Sequence, residues 1–222
     1  MSMSSADAAY RLRVSLVATM QALDAHGLNA GTTGNASVRS ESGLIITPSG
    51  IPVAELTPEN MVALRLDGQV EGAGRPSSEW RFHCDIMRSK PEAGAVVHTH
   101  STYATALACT GRGIPAFHYM VAVAGGHDIP CAPYATFGSV ALSQAVVTAL
   151  AARRACLLAN HGVIATGADL ESALRLAGYI EHLAQMYAAT LTLGGANLLD
   201  ACEMDRVLEK FANYGGLKDD RK

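Results

Sequence analysis

The apolar run Ala95-Val96-Val97 passes directly into His98-Thr99-His100, and this junction limits what the chain can build. Consecutive Ala and Val residues read as a buried-looking apolar strand. Side chains two apart on a strand share a face, at a separation of about 6.6 Å along the chain. Two imidazoles therefore stand side by side at a strand end. They are either two ordinary surface histidines or the start of a metal site, with zinc–nitrogen bonds of ~2.0–2.1 Å and an open position if the ion is catalytic.

The 222 residues fit a single domain with a substantial core. That core draws on Ala, Val, Leu and Ile, because 49% of the chain is hydrophobic but only 5% is aromatic. A net charge of −3 gives no electrostatic case for nucleic acid. Lys and Arg never run beyond two in succession, which argues against a polybasic membrane patch. The apolar runs are too short to span a bilayer, and the N-terminus lacks a signal-peptide core. Five scattered cysteines without a C-x-x-C read as reduced cytoplasmic thiols, mostly packed in the core.

Taken in order, Ser5 to Gly27 has helical periodicity, and Gly27 is a plausible stop. Ala36–Arg39 pairs with Gly43–Thr47, and Met61–Leu66 turns at Asp67-Gly68 into Gln69-Val70. Pro76-Ser77-Ser78-Glu79 opens a helix to about Ser89, and another runs from Ser101 to Cys109. Ile114–Ala124 reads as a strand, and the Pro-interrupted segment Asp128–Tyr134 as an edge. A helix over Ser139–Ala152 precedes a strand, Ala155–Thr166, that is broken at Asn160-His161-Gly162. Asp169 caps a long amphipathic helix that stops at Gly194-Gly195, and a last helix covers Met204–Asn213. Residues 215–222 read as a flexible tail. The pattern predicts one α/β domain over residues 1–222, a mixed sheet with helices on both faces.

His161 interrupts an apolar strand, which is costly unless its ring finds a partner. It is either a hydrogen-bonded core histidine or a third imidazole beside His98 and His100. Ser77 and Ser78 at a helix start suit either simple capping or an anion held by free N–H groups. Glu79 is ordinary in a first turn, where the helix dipole lowers its pKa. Gly31-x-x-Gly34-Asn35 and Thr47-Pro48-Ser49-Gly50 could wrap an anion, but neither matches a nucleotide-binding fingerprint. Tyr119 is a candidate acid/base or a packed strand residue. Phe211 and Tyr214 read as anchors of the last helix.

Together these segments resemble the class II aldolase/adducin-head family. The likeness runs from about Leu23 to Tyr214. It is carried by Gly31–Asn35, Ile46–Pro52, Pro76–His83, Ala95–His100, Ile114–Met120, Ile129–Gly138, Asn160-His161-Gly162 and Leu208–Phe211. The resemblance implies a single three-layer α/β/α domain with a central, mixed and largely antiparallel sheet. It also implies a homotetramer with sites between subunits. By matching positions, His98, His100 and His161 would hold zinc, with manganese or cobalt as alternatives. Glu79 would ligate the resting metal and then act as acid/base. Gly34, Asn35, Ser49, Gly50, Ser77 and Ser78 fall on phosphate-binding positions. Tyr119 would reach the site from an adjacent subunit, and Phe137, Phe211 and Tyr214 would shape the aldehyde end from across that interface.

The implied activity is a metal-dependent aldolase that splits a ketose 1-phosphate into dihydroxyacetone phosphate and an aldehyde. L-fuculose 1-phosphate or a 5-deoxy- or 5-methylthio-pentulose 1-phosphate would fit. A pentulose-5-phosphate 4-epimerase, a phosphotetronate decarboxylase and a non-catalytic adducin-head-like module are the alternatives within the family. Thr99, Ser101 and Asn160 depart from the L-fuculose-type pattern beside the metal ligands, which leaves the aldehyde open.

Overall fold

The early hairpins and the later helix–strand alternation merge into one sheet. The computed structural model describes residues 5–213; the tail predicted over 215–222 lies outside the described residues. The strands are β1 (Asn35–Arg39), β2 (Leu44–Ile46), β3 (Val62–Leu64), β4 (Val70–Glu71), β5 (Ala95–Thr99), β6 (Cys131–Ala132), β7 (Ala155–Leu158) and β8 (Gly162–Gly167). They lie in the order β4-β3-β2-β1-β5-β8-β7-β6. Only the edge pair β6–β7 is parallel; all other neighbours are antiparallel. The mixed, largely antiparallel sheet is therefore present.

Alternation along the central strands sorts the core into two layers. Ala95 and Val97 face one side of β5, with Ala36 and Val38 from β1 and Val163 and Ala165 from β8. This side is covered by α1 (Ser5–Ala25), α3 (Thr102–Cys109), α5 (Leu170–Thr192) and α6 (Ala201–Asn213). Val96 and Ile164 face the other side, under α2 (Trp80–Ser89) and α4 (Val140–Ala149), where Phe82, Ile86 and Leu142 are buried. Each fully buried side chain of this kind contributes roughly 1.5–3 kcal/mol, and the three-layer α/β/α arrangement buries both faces.

Local chemistry ends the helices where it was expected to, with small shifts. Asp169 caps α5, its side chain accepting from the Ser172 backbone N–H at 2.7 Å. Ser139 accepts from the Leu142 N–H at 3.1 Å and opens α4. α6 begins three residues before the expected Met204, because the Asp200 carboxylate accepts from the Glu203 N–H.

One element differs in kind. Ile114–Ala124 is not a strand: Ile114 makes a single bridge to Ile129, and Tyr119–Ala124 forms a 3-10 helix. Pro115 has no N–H for a ladder, and the His118 side chain accepts from the Met120 N–H, favouring a turn. The buried run Val121–Ala124 gave no period by which strand and helix could be told apart. The five cysteines are free, as expected, but only Cys84 and Cys156 are buried, while Cys109 and Cys202 are exposed. No described helix is long and apolar enough to cross a membrane.

Candidate metal centre

Register brings the histidines together. In the antiparallel sheet the end of β5 meets the start of β1 and the start of β8, so His98 pairs with Asn35 on one side and Ile164 on the other. The interruption at Asn160-His161 is the turn of the β7–β8 hairpin, with Asn160 in the left-handed region at φ 55°, a conformation Asn tolerates better than most residues. That turn hangs His161 over the end of β5. Gly162 is required by close approach: a Cβ there would lie 2.4 Å from the Thr99 carbonyl oxygen and 2.9 Å from the His100 ring.

The three imidazoles form a propeller. Ring centroids are 4.8 Å apart for His98–His100, 4.9 Å for His98–His161 and 5.2 Å for His100–His161, with interplanar angles of 75–79°. Glu79, at the N-cap of α2, makes no capping bond with its side chain. Its carboxylate instead lies 3.1 Å from His98 Nε2 and 3.1 Å from His161 Nε2. One ligand atom from each of Glu79, His98, His100 and His161 falls within 4.8 Å of all the others. Ser77 takes a local role, its Oγ accepting from the Glu79 N–H at 3.3 Å.

These donors fit a divalent ion. His98 Nδ1 donates to the Val163 carbonyl at 2.9 Å, so Nε2 is the ring nitrogen left to face the cluster. It lies 2.9 Å from His100 Nε2 and beside the Glu79 carboxylate. Acceptors so close repel each other unless a proton or a cation sits among them. A tetrahedral ion with ~2.0–2.1 Å bonds spaces its nitrogens by about 3.3 Å, close to the separations present. Burial pushes the Glu79 carboxyl up, but the His98 and His161 imidazoles outweigh it and hold it well below the usual carboxylate range. Burial, assisted by His98 and His161, lowers His100 to about 4, leaving it a neutral ligand.

The cluster forms one wall of a 320 Å³ cavity. Gly34, Asn35, Ser49, Gly50, Ser77, Ser78, Glu79, His100 and His161 all line it. The loops are laced edge to edge: Ser77 N–H donates to the Thr47 carbonyl and Ser49 N–H to the Arg75 carbonyl, each at 3.0 Å. Gly34 is again required, since its φ is +74° and a Cβ would lie 2.3 Å from the Asn29 side chain. The lining contains no Lys or Arg. An anion there would meet only neutral donors and the N-terminus of α2.

The aromatic residues divide. Phe137, assigned by resemblance to a neighbouring subunit, lines the cavity of its own chain, because the loop before α4 passes beside the α2 N-terminus. Tyr119 and Phe211 do not line it; they face each other elsewhere, centroids 6.3 Å apart, with Tyr119 49% exposed. Tyr214 lies outside the described residues. Tyr134 also lines the cavity and was not singled out from the sequence as a site residue.

Residues 14–188 match the class II aldolase and adducin N-terminal domain family. The chain belongs to that family. Among similar curated proteins, the 5-methylthioribulose-1-phosphate/5-deoxyribulose-1-phosphate aldolase of Rhodospirillum rubrum is 52% identical over 204 residues, covering 92% of each chain. The L-fuculose phosphate aldolase of Escherichia coli is 50% identical over 190 residues, covering 85% of this chain and 88% of the relative. Among solved structures, an L-fuculose 1-phosphate aldolase superposes with a TM-score of 0.88 at 37% identity, covering 90% of this chain and 96% of its own. The resemblance read from the motifs, and the enzyme class it implied, are thus those of the class II aldolases.

Sequence reasoning passed over His83. This side chain is fully buried on α2, with Nδ1 2.7 Å from Ser37 Oγ and Nε2 2.5 Å from Asn35 Oδ1. Asn35 Nδ2 in turn donates to Glu79 Oε2 at 3.0 Å. Burial, reinforced by His98, holds the His83 imidazole down to about 3, so it is neutral. Its signal was available: Glu79 and His83 are four apart on one helix face, and Asn35 and Ser37 two apart on one strand face.

Proposed function

We propose that the chain is a metal-dependent aldolase that reversibly splits a ketose 1-phosphate into dihydroxyacetone phosphate and an aldehyde. Substrates of the L-fuculose 1-phosphate or 5-deoxy/5-methylthio-pentulose 1-phosphate kind are the candidates, in keeping with the names of the relatives. The observation that carries this reading is a cluster of one carboxylate and three imidazoles beside a cavity whose lining includes neutral Ser, Thr, Asn and Gly residues and no Lys or Arg. A non-catalytic module would have no need of four converging ligand groups.

The residues divide the work. His98, His100, His161 and, at rest, Glu79 would hold the ion. Zinc suits three imidazoles, with manganese or cobalt able to occupy such a site. Bound there, it supplies Lewis-acid stabilisation of the negative charge that develops as the substrate breaks. Asn35, Ser49, Gly50, Ser77 and Ser78, with Gly34 leaving room, hold the phosphate. Tyr119 from an adjacent subunit takes the C4 hydroxyl proton as the C3–C4 bond breaks and C4 becomes the aldehyde carbon. Glu79 returns a proton to C3, completing dihydroxyacetone phosphate. Once away from the imidazoles and facing a phosphate, its carboxyl is raised from its resting value and can carry that proton.

The exposure of Tyr119 and its absence from the lining of its own chain's cavity support a homotetramer whose sites lie between subunits, with Phe211 beside Tyr119 at the same interface. Reduced thiols accord with a cytoplasmic enzyme. Product analysis is the test. Purified protein with zinc, manganese or cobalt is offered L-fuculose, 5-deoxy- and 5-methylthio-pentulose 1-phosphates, and dihydroxyacetone phosphate is expected from at least one. Its absence from all of them ends the proposal, and a C4 epimer or carbon dioxide from the corresponding phosphorylated substrates would replace it.

A further inference from the structure

We propose that His83 is a positioning residue of this centre, holding the Asn35 carboxamide with its N–H edge turned toward Glu79 and the cavity. It rests on the reading of Glu79 as the group that moves the proton.

The donor logic is closed at each link. A carboxylate only accepts, so the Asn35 edge facing Glu79 Oε2 at 3.0 Å must be Nδ2. Asn35 Oδ1 is then turned toward His83 Nε2 at 2.5 Å, and that ring nitrogen must carry the proton. With one proton on the neutral ring, Nδ1 is an acceptor, and the Ser37 hydroxyl 2.7 Å away donates to it. Ser37, His83, Asn35 and Glu79 are all buried, which leaves no bulk water to substitute for a missing partner. Phe82 stacks on His83 at 4.7 Å and meets His98 edge-on at 5.5 Å, so the ring is also fixed in orientation.

The consequence concerns how firmly this amide is held. Glu79 favours the N–H edge of Asn35, and the His83 N–H satisfies the oxygen edge that this orientation leaves buried on the far side. Without a donor at His83, that oxygen would be left buried and unpaired, and the amide would be displaced or turned at the expense of its bond to Glu79. The imidazole therefore locks the orientation of a group that touches both Glu79 and the cavity.

Two kinds of experiment test this on the full-length protein reconstituted with zinc. Long-range nitrogen–proton correlation of ring-labelled histidine, assigned with His83→Gln, is expected to show His83 as the neutral Nε2–H tautomer. An Nδ1–H tautomer or an imidazolium overturns the proposal. This measurement needs no turnover, so its failure is distinct from failure of the aldolase reading. With a substrate established by product analysis, His83→Leu should lose about 10–100-fold in kcat/KM at unchanged zinc content. His83→Gln, which keeps an N–H donor, should recover to within about 3-fold. Adding His83→Leu to Asn35→Ala should cost nothing further, since the amide it orients is gone. Equal damage from Gln and Leu, or losses that multiply in the double variant, would mean that His83 serves packing alone. The tautomer decides even if His83→Leu does not fold.

Discussion

The end of β5 and the Tyr119–Phe211 patch are built in opposite ways. At the end of β5 the groups are buried or half-buried, drawn from β1, α2, β5 and the β7–β8 turn, and oriented by one another. Tyr119 sits on a 3-10 helix, half exposed, with His118 and Phe211 as its ring neighbours. The first region brings its donors together within one chain; the second stands outside the lining of the cavity that its own chain forms. A buried cluster is specified by intrachain register, whereas the half-exposed Tyr119 ring acquires a catalytic role only under the proposed assembly, in which a neighbouring subunit meets it.

The comparison breaks most visibly if the buried cluster does not need all its members. His161→Ala should abolish stoichiometric metal and lower turnover by at least about 10³-fold. Metal content by mass spectrometry alongside an aldol-cleavage assay checks this, and normal values for both would remove the centre. Glu79→Gln should keep the metal on the three imidazoles yet lose about 10²–10⁴-fold in kcat. Wild-type turnover would exclude Glu79 from proton transfer.

The exposed patch is tested by mixing. Tyr119→Phe should lose about 10²-fold by itself. Co-refolded 1:1 with Glu79→Gln, it should recover about a quarter of wild-type activity, because random assembly gives that share of sites both intact residues. No recovery from the mixture would place Tyr119 and Glu79 in one chain's site or leave Tyr119 without a role.

The smallest effect sharpens the buried side alone. In metal-free protein, His83 at about 3 and His100 at about 4 refuse protons that the unfolded chain accepts near 6.5. Their neutral forms are favoured by the fold, so stability is full above about pH 6.5 and falls as pH drops towards those values. The slope is at most ~1.4 kcal/mol per pH unit for each group. Urea titrations between pH 7 and 4.5 should show this acid limb, and His83→Gln should make it shallower. A limb of unchanged slope would deny that His83 is held neutral by burial.

How much was legible differs between the two regions for physical reasons. His98 and His100 could be paired from alternation on one strand, and His161 suspected from the cost of a polar break in an apolar run. Asn35 and Ser37, or Glu79 and His83, share faces by the same periodicities. What no period contains is that the β1 face and the α2 face meet, so His83 stayed unread. Ile114–Ala124 was misread because the fully buried run Val121–Ala124 lacks the alternation that distinguishes a strand from a helix, and because Pro115 and the His118 cap settle the backbone locally.

The chain's pattern alone determined its three-layer class, most element boundaries and the motifs that mark the family, since these follow from spacing and capping within a few residues of each other. Tertiary structure alone decided that Glu79 turns from its own helix cap to the histidines, that Phe137 lines its own cavity, and that His83 governs the Asn35 amide. Those outcomes depend on contacts between residues 19 to 82 positions apart, and a sequence carries no distance between elements until the sheet has set their register.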